Sequence, residues 1–424
     1  MSVVLLAIVS GALGSLGAAA FREVLFELER LLHGNAGHLV AAAQALSWWQ
    51  RLLFPCVGGI AAGIVLHLGG RWMGSANSAE YLEAIAVEER RVDPRSTLVR
   101  SSSSLISVAT GASIGREGAM VQVAAIAGHL LTRVSPATGE EYRLLVACAA
   151  AAGLATAYNA PLASALFVGE IALGAQALPR LVPVLLAAIT GNAIAQVAFG
   201  AAPIFAADSL DVGSLWTAPA WIALGAIAGA AAPVMMRLLG WARDGFARLP
   251  PSLPLKLGFG GLLVGAMSIA EPRIWGNGYS VVDSLLHQPW TMLLLAQVLL
   301  LKTFATAATA GSGAVGGVFT PTLLLGACIG QLVGLGAQML APGMASGAPM
   351  GYAALGMGAL LAATTHAPMM AILMVLEMTG HQSLTLPLAA ACVTGHLVAR
   401  ALGSPSIYAE SLQGGARSSP PGQG

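Results

Sequence analysis

Eleven stretches of this chain are almost purely apolar, at about 3–21, 51–69, 102–132, 143–169, 181–200, 217–236, 255–270, 291–301, 303–340, 351–376 and 384–399. Many reach the roughly 20 residues that a helix needs to cross a bilayer. A large soluble protein would show polar faces at helical spacing, and these runs lack them. Only 9% of the residues are charged, against about 25% in soluble domains, so too few charges exist to cover a soluble surface. The chain therefore reads as an all-α polytopic membrane protein embedded in a lipid bilayer.

The rest of the composition narrows the chemistry. A net charge of +1 gives no ground for a nucleic-acid partner. Cys56, Cys148, Cys328 and Cys392 lie far apart in or beside apolar runs and form no CxxC pair, so they read as small hydrophobes, not as metal ligands or a disulfide framework. No cofactor or metal is expected. The first run ends in Ala18-Ala19-Ala20, which could mimic a signal-peptide cleavage site, but no Lys or Arg precedes it. It reads as a first, long membrane helix that continues past Phe21.

Glycine is abundant, at 52 residues, and falls inside the apolar runs, where small residues let membrane helices approach closely. Several runs are broken by Gly-rich or Pro-containing stretches. Lipid cannot satisfy a freed backbone group, so such breaks must line a protein cavity, as in transporters and channels built from half-helices. An internal repeat points the same way. Residues 154–170 (LATAYNAPLASALFVGE) align with 361–377 (LAATTHAPMMAILMVLE), pairing Pro161 with Pro368 and Glu170 with Glu377. Two related halves, inverted as many such repeats are, are expected at 1–240 and 241–412, with a short tail at 413–424. Four arginines between Arg90 and Arg100 mark that connector as cytoplasmic by the positive-inside tendency.

Charge is scarce where it matters most. Between Ser101 and Thr132 the charged residues are Arg116 and Glu117, within Gly111-Ala-Ser-Ile-Gly-Arg-Glu-Gly-Ala119. Charges at membrane depth usually mark an ion or proton path. An Arg–Glu pair closing a helix contact is the plainer explanation, but adjacent helical residues do not face each other. From Thr303 to Leu376 there is no Asp, Glu, Lys or Arg, yet this stretch holds Gly311-Ser-Gly-Ala-Val-Gly-Gly-Val-Phe-Thr-Pro-Thr322. Its Thr-Pro entry suits a helix start; a glycine packing motif is the alternative. Two half-helix N-termini aimed at one point would bind a small anion through backbone amides and, lacking a full positive charge, release it quickly.

These motifs resemble those of the CLC chloride channel and transporter family. Gly115-Arg-Glu-Gly118 is similar to its GREGP motif with Ala119 in place of Pro, Gly316-Gly-Val-Phe-Thr-Pro321 matches GxFxP, and Ser406-Ile-Tyr408 resembles the segment carrying the pore tyrosine. The Ala after GREG and the segment Trp275-Gly-Asn-Gly-Tyr279 look most like the bacterial ClcB-type branch. The resemblance implies a voltage-gated chloride channel or a chloride/proton antiporter in a bacterial inner membrane, multi-pass and homodimeric. Glu117 would be the external gating and proton-accepting glutamate; amides around Arg116, Gly118, Val318 and Phe319 would bind chloride, with the Tyr408 hydroxyl at the central ion. Two departures stand out. Ala76, flanked by Ser75 and Ser78, falls at the family's pore serine, and Ile171 falls where coupled antiporters carry an internal proton-relay glutamate. Glu170 is adjacent, but its repeat mate Glu377 marks it as structural. A passive or weakly proton-coupled chloride conductor is expected ahead of an antiporter; a fluoride exporter fits less well, since Tyr408 is present. A membrane-embedded enzyme is disfavoured by the lack of HExxH, GxSxG or P-loop patterns and of clustered histidines.

Overall fold

The computed structural model describes residues 3–34, 37–73, 78–87, 90–134, 138–174, 177–207, 209–250, 252–340 and 347–409. They are mostly helical. In chain order come α1 (Val3–His33), α2 (Leu39–Ala45), α3 (Trp48–Gly69), α4 (Tyr81–Ala86), α5 (Pro94–Ala109), α6 (Glu117–Val134), α7 (Gly139–Tyr158), α8 (Pro161–Phe167) and α9 (Ala177–Phe199). There follow α10 (Ala218–Ala247), α11 (Leu253–Ala270), α12 (Tyr279–His287), α13 (Met292–Gly311), α14 (Phe319–Leu340), α15 (Pro349–Thr365), α16 (Pro368–Thr379) and α17 (Thr385–Ala401). Among the described residues eight helices are long and apolar enough to cross a membrane. The first apolar run is one continuous helix, as its spacing indicates. The long runs 102–132 and 303–340 are each broken at glycines, the first between α5 and α6, the second between α13 and α14.

The packing follows the sequence repeat. α1 lies against α7 and α9, and α10 lies likewise against α15 and α17; α6 packs on α7 as α14 packs on α15. α7 and α15 are buried almost all round, as expected of helices with no lipid or water face. Each ends in a left-handed residue, Asn159 (φ 48°) and His366 (φ 61°), immediately before the Ala-Pro that starts the next short helix. These are the described non-glycine residues with positive φ. Asn tolerates that geometry best. His366 has its N–H satisfied by the Ala362 carbonyl, 3.1 Å away, closing the turn.

The two repeat glutamates hold the halves together. The Glu377 carboxylate, in α16, accepts the N–H groups of Leu162 (3.1 Å) and Ala163 (2.8 Å) at the start of α8. Glu170, on the π-helical turn Val168–Leu173, accepts the N–H of Met370 (2.9 Å) at the start of α16. Each half thus caps the other's short helix, whose first N–H groups have no partner within the helix. Residues 240 and 241 fall inside α10.

Close helix approach depends on particular glycines. A Cβ on Gly330 of α14 would run into the backbone carbonyl of Tyr352 on α15, whereas one on Gly336 meets nothing within 4 Å. Gly330→Ala should therefore force the helices apart and cost about 1–3 kcal/mol. Gly336→Ala, on the same helix, should be neutral or stabilise by up to about 1 kcal/mol. Thermal unfolding of the solubilised protein checks both, and equal midpoints for the two variants would contradict the contact.

Candidate functional site

The breaks in the two halves meet. Gly115 N–H donates to the Gly317 carbonyl (2.7 Å) and Gly317 N–H donates to the Gly115 carbonyl (2.9 Å), an isolated antiparallel bridge between the two motifs. The approach needs glycine, since a Cβ on Gly316 would lie 2.8 Å from the Gly115 carbonyl oxygen. Immediately after this bridge α6 starts at Glu117 and α14 at Phe319. Met120 N–H reaches the Arg116 carbonyl and Thr322 N–H the Val318 carbonyl, so the N–H groups between them are the unpaired donors of the first turns. Pro321 sits in the opening turn of α14, where a missing donor costs nothing.

A cavity of about 200 Å³ opens beside these helix starts, lined by Glu117, Gly118, Val318, Phe319, Tyr158 and Tyr408 among others. The Tyr408 segment is tied down by Ile407 N–H to the Thr364 carbonyl (2.9 Å) and Ser406 Oγ to the Thr365 carbonyl (3.0 Å). The Tyr408 ring stands edge-on to Phe167 at 5.4 Å. Glu80 and Arg100, an ion pair with both side chains partly exposed, lie at the same cavity.

Arg116 and Glu117 do not pair. The Arg116 guanidinium lies over the Phe26 ring (4.9 Å) and within 5.8 Å of the Tyr279 ring. It faces a second, smaller cavity shared with Glu29 and Asn277. Glu117 is 3% exposed; its Oε1 accepts from Asn277 Nδ2 at 2.8 Å, while Oε2 is buried without a hydrogen-bond partner. The plainer explanation of this charged dipeptide, a helix-closing ion pair, is therefore excluded.

The other expected positions separate. Ala76 and Ser75 lie outside the described residues, and from their connector Glu80, Tyr81 and Leu82 reach the cavity. Ile171 packs into the apolar core and, like Glu170, is absent from the cavity lining. Three polar groups here escaped sequence reasoning. Tyr158, fully buried, shares a hydrogen bond with Thr320 Oγ1 (2.9 Å), and Gln122 Oε1 accepts Tyr81 N–H (2.7 Å), fixing the start of α4. Asn277 was quoted only as part of a branch signature. Its offset from Glu117 gave no local signal.

Comparison with known proteins bears on this geometry. The family described as Voltage gated chloride channel matches residues 58–400. A ClcB-like chloride channel protein of Ralstonia nicotianae is 51% identical over 406 residues, 95% of this chain and 94% of the relative. The voltage-gated ClC-type chloride channel ClcB of Citrobacter koseri is 41% identical over 410 residues, 95% of this chain and 97% of that one. The crystal structure of a slow cyanobacterial Cl−/H+ antiporter superposes with a TM-score of 0.85 at 26% identity, covering 98% of both chains. The chain belongs to the CLC chloride channel and transporter family. Within the CLC family it falls in the bacterial ClcB-type branch, and it has the polytopic CLC fold of a multi-pass membrane protein.

The reciprocal caps make a prediction for this CLC protein. Glu377→Ala strands the Leu162 and Ala163 N–H groups, and bonds to a charged acceptor are worth about 1.5–3 kcal/mol. Glu377→Ala and Glu170→Ala should each lower the thermal midpoint while leaving chloride flux per folded molecule intact. Flux lost in Glu170→Ala without a change in melting would instead place Glu170 on a transport path.

Proposed function

We propose that this protein conducts chloride between the α6 and α14 N-termini, with Glu117 as its gate. The observation that carries this is the Gly115–Gly317 bridge, which brings two sets of unpaired first-turn amides to one cavity wall. Amides around Arg116, Gly118, Val318 and Phe319 supply partial positive charge without a full cation, so an anion binds and leaves. Arg116, its side chain turned to aromatic rings, contributes its backbone only. Tyr408 offers its hydroxyl in the same cavity. Glu117 is the ionisable group at the helix starts; its carboxylate competes with chloride for the amides, and its protonation ends the competition.

Coupling to protons is weak or absent in this reading. Ile171 cannot carry a proton, and Glu170 is engaged in capping α16. The second reading, a chloride/proton antiporter, draws on the likeness to the cyanobacterial antiporter. The chain acts as an ion conductor and not as an enzyme, in the inner membrane of a bacterium, as the sources of its relatives suggest. The boundary expected at 240/241 falls inside α10, and since α10 packs on α15 and α17 we divide the two halves ahead of α10. A homodimer is proposed, as in the family that the chain resembles.

Two measurements test this. Glu117→Gln imitates the protonated carboxyl and should carry chloride at a rate that no longer responds to external pH; a wild-type pH response in that variant would remove Glu117 from the gate. In vesicles of purified protein, a chloride gradient should drive little or no uphill proton movement. Robust pumping at a fixed stoichiometry would replace the passive reading with the antiporter.

A further inference from the structure

The segment Trp275-Gly-Asn-Gly-Tyr279 is built as a rigid bracket aimed at Glu117. Trp275 is fully buried, and its indole lies so close to Gly111 (φ 99°) that a Cβ there would be 2.5 Å from the ring. The bracket thus rests on the loop that leads into α6. Gly276 and Gly278 take positive φ, 67° and 102°, which turns the chain sharply on both sides of Asn277.

The bracket is also held from behind. Lys302, in the middle of α13, has 0% exposure. Its Nζ donates to the Ile274 carbonyl (2.9 Å) and the Gly276 carbonyl (2.6 Å). A buried ammonium is costly unless its donors are used, and here they clamp both carbonyls flanking Trp275. Asn277 Oδ1 accepts the Tyr279 N–H at 3.3 Å. That leaves its amide nitrogen, which can only donate, directed at Glu117 Oε1, 2.8 Å away. Neither carboxylate oxygen accepts a backbone N–H, since Oε2 has no partner.

We infer that Asn277, positioned by Lys302, latches the Glu117 carboxylate off the amide cluster and so sets the balance between glutamate and chloride at the helix starts. The inference rests on the gating reading above. With the latch intact, the ionised carboxylate has a donor outside the chloride path. Without it, the first-turn amides of α6 and α14 become its best partners, and the equilibrium shifts toward the state that excludes chloride. Lys302 and Asn277 are positioning residues, acting on the anion only through Glu117.

Calorimetric titration of the detergent-solubilised full-length protein with sodium chloride tests this. Asn277→Ala should weaken chloride binding about tenfold, the scale set by one charge-assisted hydrogen bond. Lys302→Met should act in the same direction, with Lys302→Arg restoring binding. In a Glu117→Ala background neither substitution should have any further effect, which a merely structural role would not produce. Unchanged affinity in Asn277→Ala, or an equal loss with and without Glu117, overturns the latch. If Lys302→Met does not fold, the Asn277→Ala pair of measurements decides alone. Glu117→Ala that leaves both chloride binding and the pH response of flux as in the wild type would mean that the gating reading itself fails.

Discussion

Two hydrogen bonds between Gly115 and Gly317 are the contact on which the rest of this molecule depends. A half-helix in a membrane creates donors that lipid cannot satisfy, and each half of this chain makes such helices. The bridge lets the two Gly-rich breaks satisfy one another's loop backbone while leaving the first-turn N–H groups of α6 and α14 unpaired and facing a cavity. What would be a defect in a single helix becomes, in a pair, the anion site we propose. The second pair of breaks, before α8 and α16, is resolved differently. There Glu377 and Glu170 reach across to supply carboxylate acceptors, so those helix starts carry a bound negative group already and have no need of an ion from solution.

The buried charges among the described residues, Glu117 apart, are each spent at least in part on backbone; Glu271 accepts the Arg273 N–H as well as its guanidinium. Lys302 is taken up by two carbonyls and Glu29 by the Gly37 N–H, while the half-buried Arg116 lies on aromatic faces. Arg143 donates to the Ile85 and Ala86 carbonyls. Glu117 is the exception, holding one side-chain donor and one bare oxygen. A carboxylate so thinly satisfied gives up few hydrogen bonds on moving, which suits the proposed gate.

Much of this was legible in the sequence. The apolar runs, the breaks at the two glycine motifs and the 154–170 and 361–377 repeat all describe local features that a membrane forces into helices and half-helices. The repeat even implied that Glu170 and Glu377 share one structural task, and the reciprocal caps give that task its form. What stayed hidden was long-range. Asn277 meets Glu117 across 160 residues, and Tyr158 meets Thr320 across 162; nothing in periodicity or spacing foretells such pairings. Lys302 lies one residue outside the uncharged stretch 303–376, so the absence of charge there gave no hint of it. The fold buries it in mid-helix.

On the proposed reading, the near-symmetry of the halves also bears on why the site would have one gate and not two. α6 and α14 occupy matching places, each packed on its own buried partner helix and each beginning two residues after a bridging glycine. A scaffold with two equal N-termini would bind an anion symmetrically and have no preferred side. The sequence breaks the tie at the first helical residue, Glu117 in one half and Phe319 in the other. A carboxylate there can occupy the anion's place; a phenyl ring cannot, and here it instead packs 5.1 Å from Tyr158 and 6.1 Å from Phe167, walling the cavity. On that reading the scaffold supplies the binding capacity twice, and the proposed gate, a single glutamate opposed by an apolar wall, supplies the control once.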